Sequence, residues 1–110
     1  MSEARIVLTT IGSHEKAEEF AGALVGRRLA ACVNIIGPIR SIYRWKGEVE
    51  REQEYLLLIK TSAERAAELP GAFDELHPYE TPEHVEISVE GGGAGYLAWL
   101  GAQVARDVDQ

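Results

Sequence analysis

The stretch AACVNIIGPIRSIYRWKGEVEREQEYLLLIKT, residues 30–61, decides the fold. Val, Ile, Tyr and Trp dominate it, a composition that suits a pleated surface, while Gly37-Pro38 interrupts the first half and Lys46-Gly47 marks a tight turn at the centre. It reads as one long β-hairpin. Each arm of about 14 residues extends about 46 Å at roughly 3.3 Å per residue, whereas a compact 100-residue domain is only about 34 Å across. The tip must therefore project, unless Gly37-Pro38 bends the arm back over its own domain. In the second arm Glu48, Glu50, Glu52 and Glu54 alternate with Val49, Arg51, Gln53 and Tyr55, whereas Tyr55-Leu56-Leu57-Leu58-Ile59 is apolar on both faces. The base is expected to be buried and the tip not. A bare ribbon is marginal in water, and this one carries Ile39, Ile42, Tyr43, Trp45 and Val49, so packing against other copies in a symmetric homo-oligomer is expected.

Before the hairpin, residues 5–11 form a brief β-branched run ended by Gly12, a buried strand. Ser13 suits a helix N-cap, Glu15 lies at the favourable end of the dipole, and Ala17, Phe20, Ala21, Leu24 and Val25 fall at helical spacing over residues 15–29. After the hairpin, Ser62 suits a second N-cap with Glu64 just inside, and Leu69, Phe73 and Leu76 repeat at helical spacing. Pro70-Gly71 either kinks this helix or splits it in two. His77-Pro78-Tyr79-Glu80-Thr81-Pro82 is a stiff loop, because the prolines bias His77 and Thr81 toward extended geometry. Residues 84–90 alternate Val85, Ile87 and Val89 with polar positions, predicting a strand with one buried face that Gly91-Gly92-Gly93 ends. Tyr96, Leu97, Trp99, Leu100 and Val104 supply a short terminal helix. The order βαββαβ plus an extra C-terminal helix predicts an α+β, ferredoxin-like fold: a four-stranded antiparallel sheet with two helices on one face.

At 110 residues the chain is expected to be one domain spanning residues 1–110, and 45% apolar against 26% charged residues suffices for a core. A net charge of −7 repels polyanions, which argues against nucleic acid as a partner. No apolar stretch approaches the roughly 20 residues of a membrane span, and residues 1–10 lack the pattern of a signal peptide. Cys32 is the single cysteine, so no intrachain disulfide forms and a reducing cytoplasm is the expected compartment.

Cys32, the three histidines and Met1 are the soft or borderline metal ligands. Cys32 sits in a small apolar context that suits core filler, with a metal or redox role as the alternative. Within residues 77–84 the ligating side chains are His77, Glu80, Glu83 and His84, which is not a recognised zinc spacing; a rigid connector with His77 bonded to backbone is the competing reading. The four glutamates of the second arm repel one another unless cations or Arg40, Arg44 and Arg51 answer them. Trp45 lacks a partner within its own ribbon and is expected against another protomer. No Gly-rich phosphate motif or Ser/His/Asp signature is present, so nothing supports catalysis; a thiol enzyme would need Cys32 beside a base such as His77.

Four segments together resemble the CutA, or divalent-cation tolerance, family: RLAACVNIIGPIRSIYRWKGEVE at residues 28–50, EYLLLIKTS at 54–62, LHPYETPEHVEISVEGG at 76–92 and YLAWL at 96–100. The resemblance implies a cytoplasmic homotrimer of ferredoxin-like protomers, similar in architecture to PII signalling proteins. It also implies a role in metal response, copper binding in some members and no established enzymatic activity; no cofactor is expected to be obligatory, and Cu(II) or another divalent metal is the candidate ligand. By resemblance the loop lies near an inter-subunit cleft, which nominates Lys60, His77, Tyr79 and Glu83 as ligand-binding residues and Cys32, His77 and Glu83 as metal ligands. Ile42, Tyr43 and Trp45 are the expected oligomer interface. Some copper-binding relatives have a Cys in the first strand where this chain has Thr9, and a hydroxyl is a poorer ligand for soft cuprous ion, which argues against high-affinity copper binding. The alternative function is a PII-like signalling or partner-docking scaffold without a metal role.

Overall fold

The computed structural model describes residues 2–106; Met1, one of the nominated soft ligands, lies outside the described residues. The chain runs β1 (Ala4–Ile11), α1 (His14–Gly26), β2 (Cys32–Trp45), β3 (Glu48–Ser62), α2 (Ala63–Ala66), α3 (Leu69–Leu76), β4 (Val85–Ser88) and α4 (Ala94–Gln103). The strands form one antiparallel sheet in the order β2-β3-β1-β4, the ferredoxin-like arrangement that the element order predicts. Helices α1 and α3 cover one face, where Phe20, Leu24, Leu69 and Phe73 pack on Val7 and Ile11 of β1 and Leu57 and Ile59 of β3. On the other face α4 covers one end, seating Leu100 and Val104 on Ala4 and Ala31.

Two expectations change and one open alternative is decided. Helix α1 stops at Gly26, three residues before the predicted end, because Arg28 takes a left-handed conformation (φ 61°). The Leu29 N–H then reaches back to the Leu24 carbonyl and the Arg28 N–H to that of Val25, a Schellman closure. Leu29 is thereby buried from outside the helix, and Val25 faces solvent instead of the core. The second helix splits: α2 and α3 are separate, and Pro70 stands in the first turn of α3, where its missing N–H leaves no helical bond unmade. Strand β4 is shorter than predicted, and its expected buried face is largely bare, with Val85 48% and Ile87 44% exposed and Val89, just past the strand, half-buried against the Leu100 cluster. The register explains this: Val85 pairs with Leu8 and Ile87 with Ile6, on the sheet face that α1 and α3 do not cover.

The hairpin arms are 14 and 15 residues long, joined at Lys46 (φ 52°) and Gly47 (φ 83°), two successive positive-φ residues as a type I′ turn requires. The molecule measures 50 × 29 × 21 Å, so the ribbon projects and does not fold back. A register shift between Ile36 and Ile39 adds a residue to β2 at Gly37-Pro38, whose peptide bond is cis. Gly37 is close against β3: a Cβ there would lie 2.7 Å from Cδ2 of Tyr55.

Candidate functional site

Past the bulge, the register sorts the ribbon into two unlike faces. Cα partners across antiparallel strands share a face, so Trp45, Tyr43, Ser41 and Ile39 of β2 stand beside Glu48, Glu50, Glu52 and Glu54 of β3. Arg44, Ile42 and Arg40 pair with Val49, Arg51 and Gln53 on the reverse. Arg40, Arg44 and Arg51, the nearby candidates to answer the glutamates, do not do so within the protomer: the one-residue alternation puts them on the opposite face, and among the described residues none of these four glutamates has an ion pair within 4.0 Å. The carboxylates act on Tyr43 instead. Its hydroxyl is raised above the ordinary phenol value, first by burial and then by Glu52, Glu54 and Glu50.

The loop after α3 closes over the base of this face. His77 caps the helix with its N–H on the Phe73 carbonyl, and its ring is buried against Phe20 and Phe73. Nδ1 accepts from the Tyr79 N–H at 3.1 Å, so the proton sits on Nε2, 2.9 Å from Oγ1 of Thr9. Burial holds this imidazole below its ordinary pKa, against the opposing pull of the Thr10 backbone and Glu54. Tyr79 leaves the loop toward β3 and donates its hydroxyl to Oε2 of Glu54 at 2.8 Å. Burial and that bond push the phenol pKa well up. Gly12 permits the approach, since a Cβ there would lie 3.0 Å from the Tyr79 oxygen.

Between the ribbon and the loop lies an open cleft of about 910 Å³, with Tyr43, Trp45, Glu52 and Glu54 on one wall and Tyr79, Glu80 and Glu83 on the other. The nominated residues divide accordingly. Tyr79 and Glu83 line the cleft, and His77 stands behind Tyr79 in the core. Lys60 lies six positions along β3 from Glu54, with Nζ 6.0 Å from the Tyr96 ring, outside the cleft of its own protomer.

Cys32 is half-buried beside Lys60 on the sheet face away from Thr9, so it is not the filler of the main core and does not meet His77. Among the described residues no group of three or more His, Cys, Asp or Glu side chains is placed to hold a metal ion; Cys32, His77 and Glu83 form no ligand set within one protomer. Thr9 is fully buried and committed to His77. Trp45 lines the cleft and carries Lys46 Nζ 5.7 Å from its ring, a neighbour the sequence does not announce. Glu54 is the residue that sequence reasoning undervalued. It is the last glutamate before the apolar run, and that position at the boundary is the signal.

A family profile described as "CutA1 divalent ion tolerance protein" matches residues 5–103. The chain is 48% identical over 95 residues to the divalent-cation tolerance protein CutA of Thermus thermophilus, covering 86% of this chain and 92% of that protein. It is 43% identical over 99 residues to protein CutA of Homo sapiens, covering 90% of this chain but 55% of the human protein, so it spans about half the length of that relative. The crystal structure of CutA from Xylella fastidiosa superposes with a TM-score of 0.91 at 36% identity, covering 94% of this chain and 100% of that one.

Proposed function

This chain belongs to the CutA1 divalent ion tolerance family, and from that premise we propose that it serves divalent-cation tolerance as a non-enzymatic homotrimer that binds a divalent metal or small ligand in clefts completed between subunits. The supporting observation is bare apolar surface on the protomer: Ile42, Tyr43 and Trp45 are exposed where they line the acidic cleft, and Val85 and Ile87 are exposed on the sheet. Association of protomers covers that surface and narrows the open side of the cleft. A ligand set incomplete in one protomer is then filled from a neighbour, with Lys60 or Cys32 of another copy as the contributing groups. The half-exposed free thiol of Cys32 suits a reducing cytoplasm.

Native mass spectrometry with and without Cu(II) tests this. A trimer mass with saturable metal binding, weakened by Glu83→Gln, is expected; binding unchanged in both Glu83→Gln and His77→Ala rejects the site. Paired Ile42→Glu and Trp45→Glu substitutions are expected to reduce the mass to that of a single chain. The second reading, a PII-like signalling or partner-docking scaffold without metal, is favoured by one observation: both nitrogens of His77 are already bonded within the protomer. Capture of a specific protein that survives chelation and is lost on trimming the tip supports that reading over the first.

A further inference from the structure

We propose that α4 is a hinged strap: it opens from the sheet as a unit while the rest of the chain stays folded, and a clasp of arginines at its C-terminal end sets how often it does so. The strap is separate from the cleft and from whatever fills it.

Intrinsic helix stability does not hold α4 in place. Its ten residues fall short of the roughly 12–15 at which an isolated helix becomes even marginal in water, and Gly95 and Gly101 within it lower its propensity further. No side chain caps its first turn, and Leu100 is its one buried residue. Leu100 and Val104 seat on Ala4 and Ala31, a far smaller patch than the core under α1 and α3.

The link before the helix is equally loose. The chain is tied to β1 as far as Val89, whose N–H donates to the Ala4 carbonyl at 3.2 Å. Gly91-Gly92-Gly93 follow, and a Cβ at Gly91 or Gly93 would meet nothing within 4 Å. A segment with few buried apolar contacts and a pliant link opens locally, below the free energy of global unfolding.

The C-terminal end supplies the hold. Arg65 of α2, 9% exposed, donates from Nε to the Val104 carbonyl at 2.9 Å and from Nη1 to both Glu68 oxygens at 3.3 Å. Arg28 donates from Nη1 to the Gln103 carbonyl at 3.1 Å. Two guanidinium groups from separate parts of the chain thus answer the last carbonyls of α4, where the helix dipole favours cations. Arg106 closes the clasp on Glu64 and Glu68. Arg28 also occupies a left-handed position (φ 61°) that glycine fills without strain. Its side-chain hydrogen bond goes to α4 and not to α1, so its reach to the strap accounts for an arginine there.

Opening of the strap uncovers Ala4 on the sheet face that also bears Val85 and Ile87. It also takes the Tyr96 ring away from Lys60, whose Nζ lies 6.0 Å from it. The strap therefore governs Lys60, one of the groups that a shared cleft draws from a neighbouring copy; only this consequence depends on the shared cleft.

Hydrogen exchange on the full chain, read by mass spectrometry for residues 94–106 against residues 55–62, tests the strap. The α4 amides are expected to exchange about tenfold faster than those at the base of β3, and Arg65→Met to speed α4 by about a further tenfold with β3 unchanged. Arg28→Gly is the sharper variant and decides the matter if Arg65→Met fails to fold, because it relieves the left-handed strain. It is expected to raise α4 exchange severalfold while α1 is unchanged or slower. Arg27→Ala, which breaks the Arg27–Glu75 pair outside the strap, leaves α4 as it was. Exchange of α4 in step with β3 overturns the proposal. So does an Arg28→Gly variant that leaves α4 unaltered or speeds every segment alike. A single-chain mass with α4 still exchanging on its own supports the strap and rejects the shared cleft.

Discussion

The base and the tip of the hairpin belong to the same two strands, yet their apolar residues meet different fates. At the base, Leu57 and Ile59 are fully buried under α1 and α3. At the tip, Ile42 is 62% and Val49 51% exposed, because no helix reaches past the bulge. Both ends are strand-forming sequence, so the covering layer, not residue type, separates core from surface. Apolar side chains kept at an uncovered tip serve association or binding, while the same chemistry at the base serves stability.

The largest effect should come from emptying the base. Leu57→Ala removes a fully buried side chain and should cost about 2–5 kcal/mol in chemical denaturation, whereas Val49→Ala at the tip should cost less than about 1 kcal/mol. Equal losses would break the comparison and would mean that the tip is as deeply packed in the assembly as the base is in the chain. At the junction of the two regions, Tyr79→Phe leaves the buried Glu54 carboxylate without its donor, at an expected cost of about 1–3 kcal/mol. A neutral result would place Glu54 in solvent contact and extend the tip environment down to it.

The smallest effect concerns pH. The folded chain holds His77 below its ordinary pKa, so the unfolded chain takes up the proton first. The contribution is complete above roughly pH 6.5 and is lost as pH falls through the depressed folded value. Melting temperatures measured from about pH 8 down to about pH 5 should decline on the acid side of roughly pH 6.5, and His77→Gln should flatten that decline. An unchanged slope in the variant would mean that His77 is not part of the buried base.

Much of the fold is legible in the sequence because its signals are local. The Lys46-Gly47 turn, the Ser13 and Ser62 caps, each accepting a backbone N–H three residues on, and the alternation of β3 all depend on neighbours along the chain. The bare face of β4 and the end of α1 at Arg28 were not legible, since alternation marks that a strand has an apolar face but not whether a layer covers it. The candidate site divides the same way. Tyr79 and Glu83 stand out in a stiff loop, but the loop's target, Glu54, lies 25 residues away and is identified only by the contact.

By itself the sequence determined the element order, the sheet topology and the projecting ribbon, because periodicity, turn chemistry and chain length are short-range or additive properties, and its four matching segments carried the resemblance to the family. Only the tertiary structure decided that the arginines and glutamates of the ribbon occupy opposite faces past the bulge and that Glu54 is buried under Tyr79. Register and loop docking are set by contacts between distant segments, and a single residue of slip inverts the side of the sheet on which each charge stands.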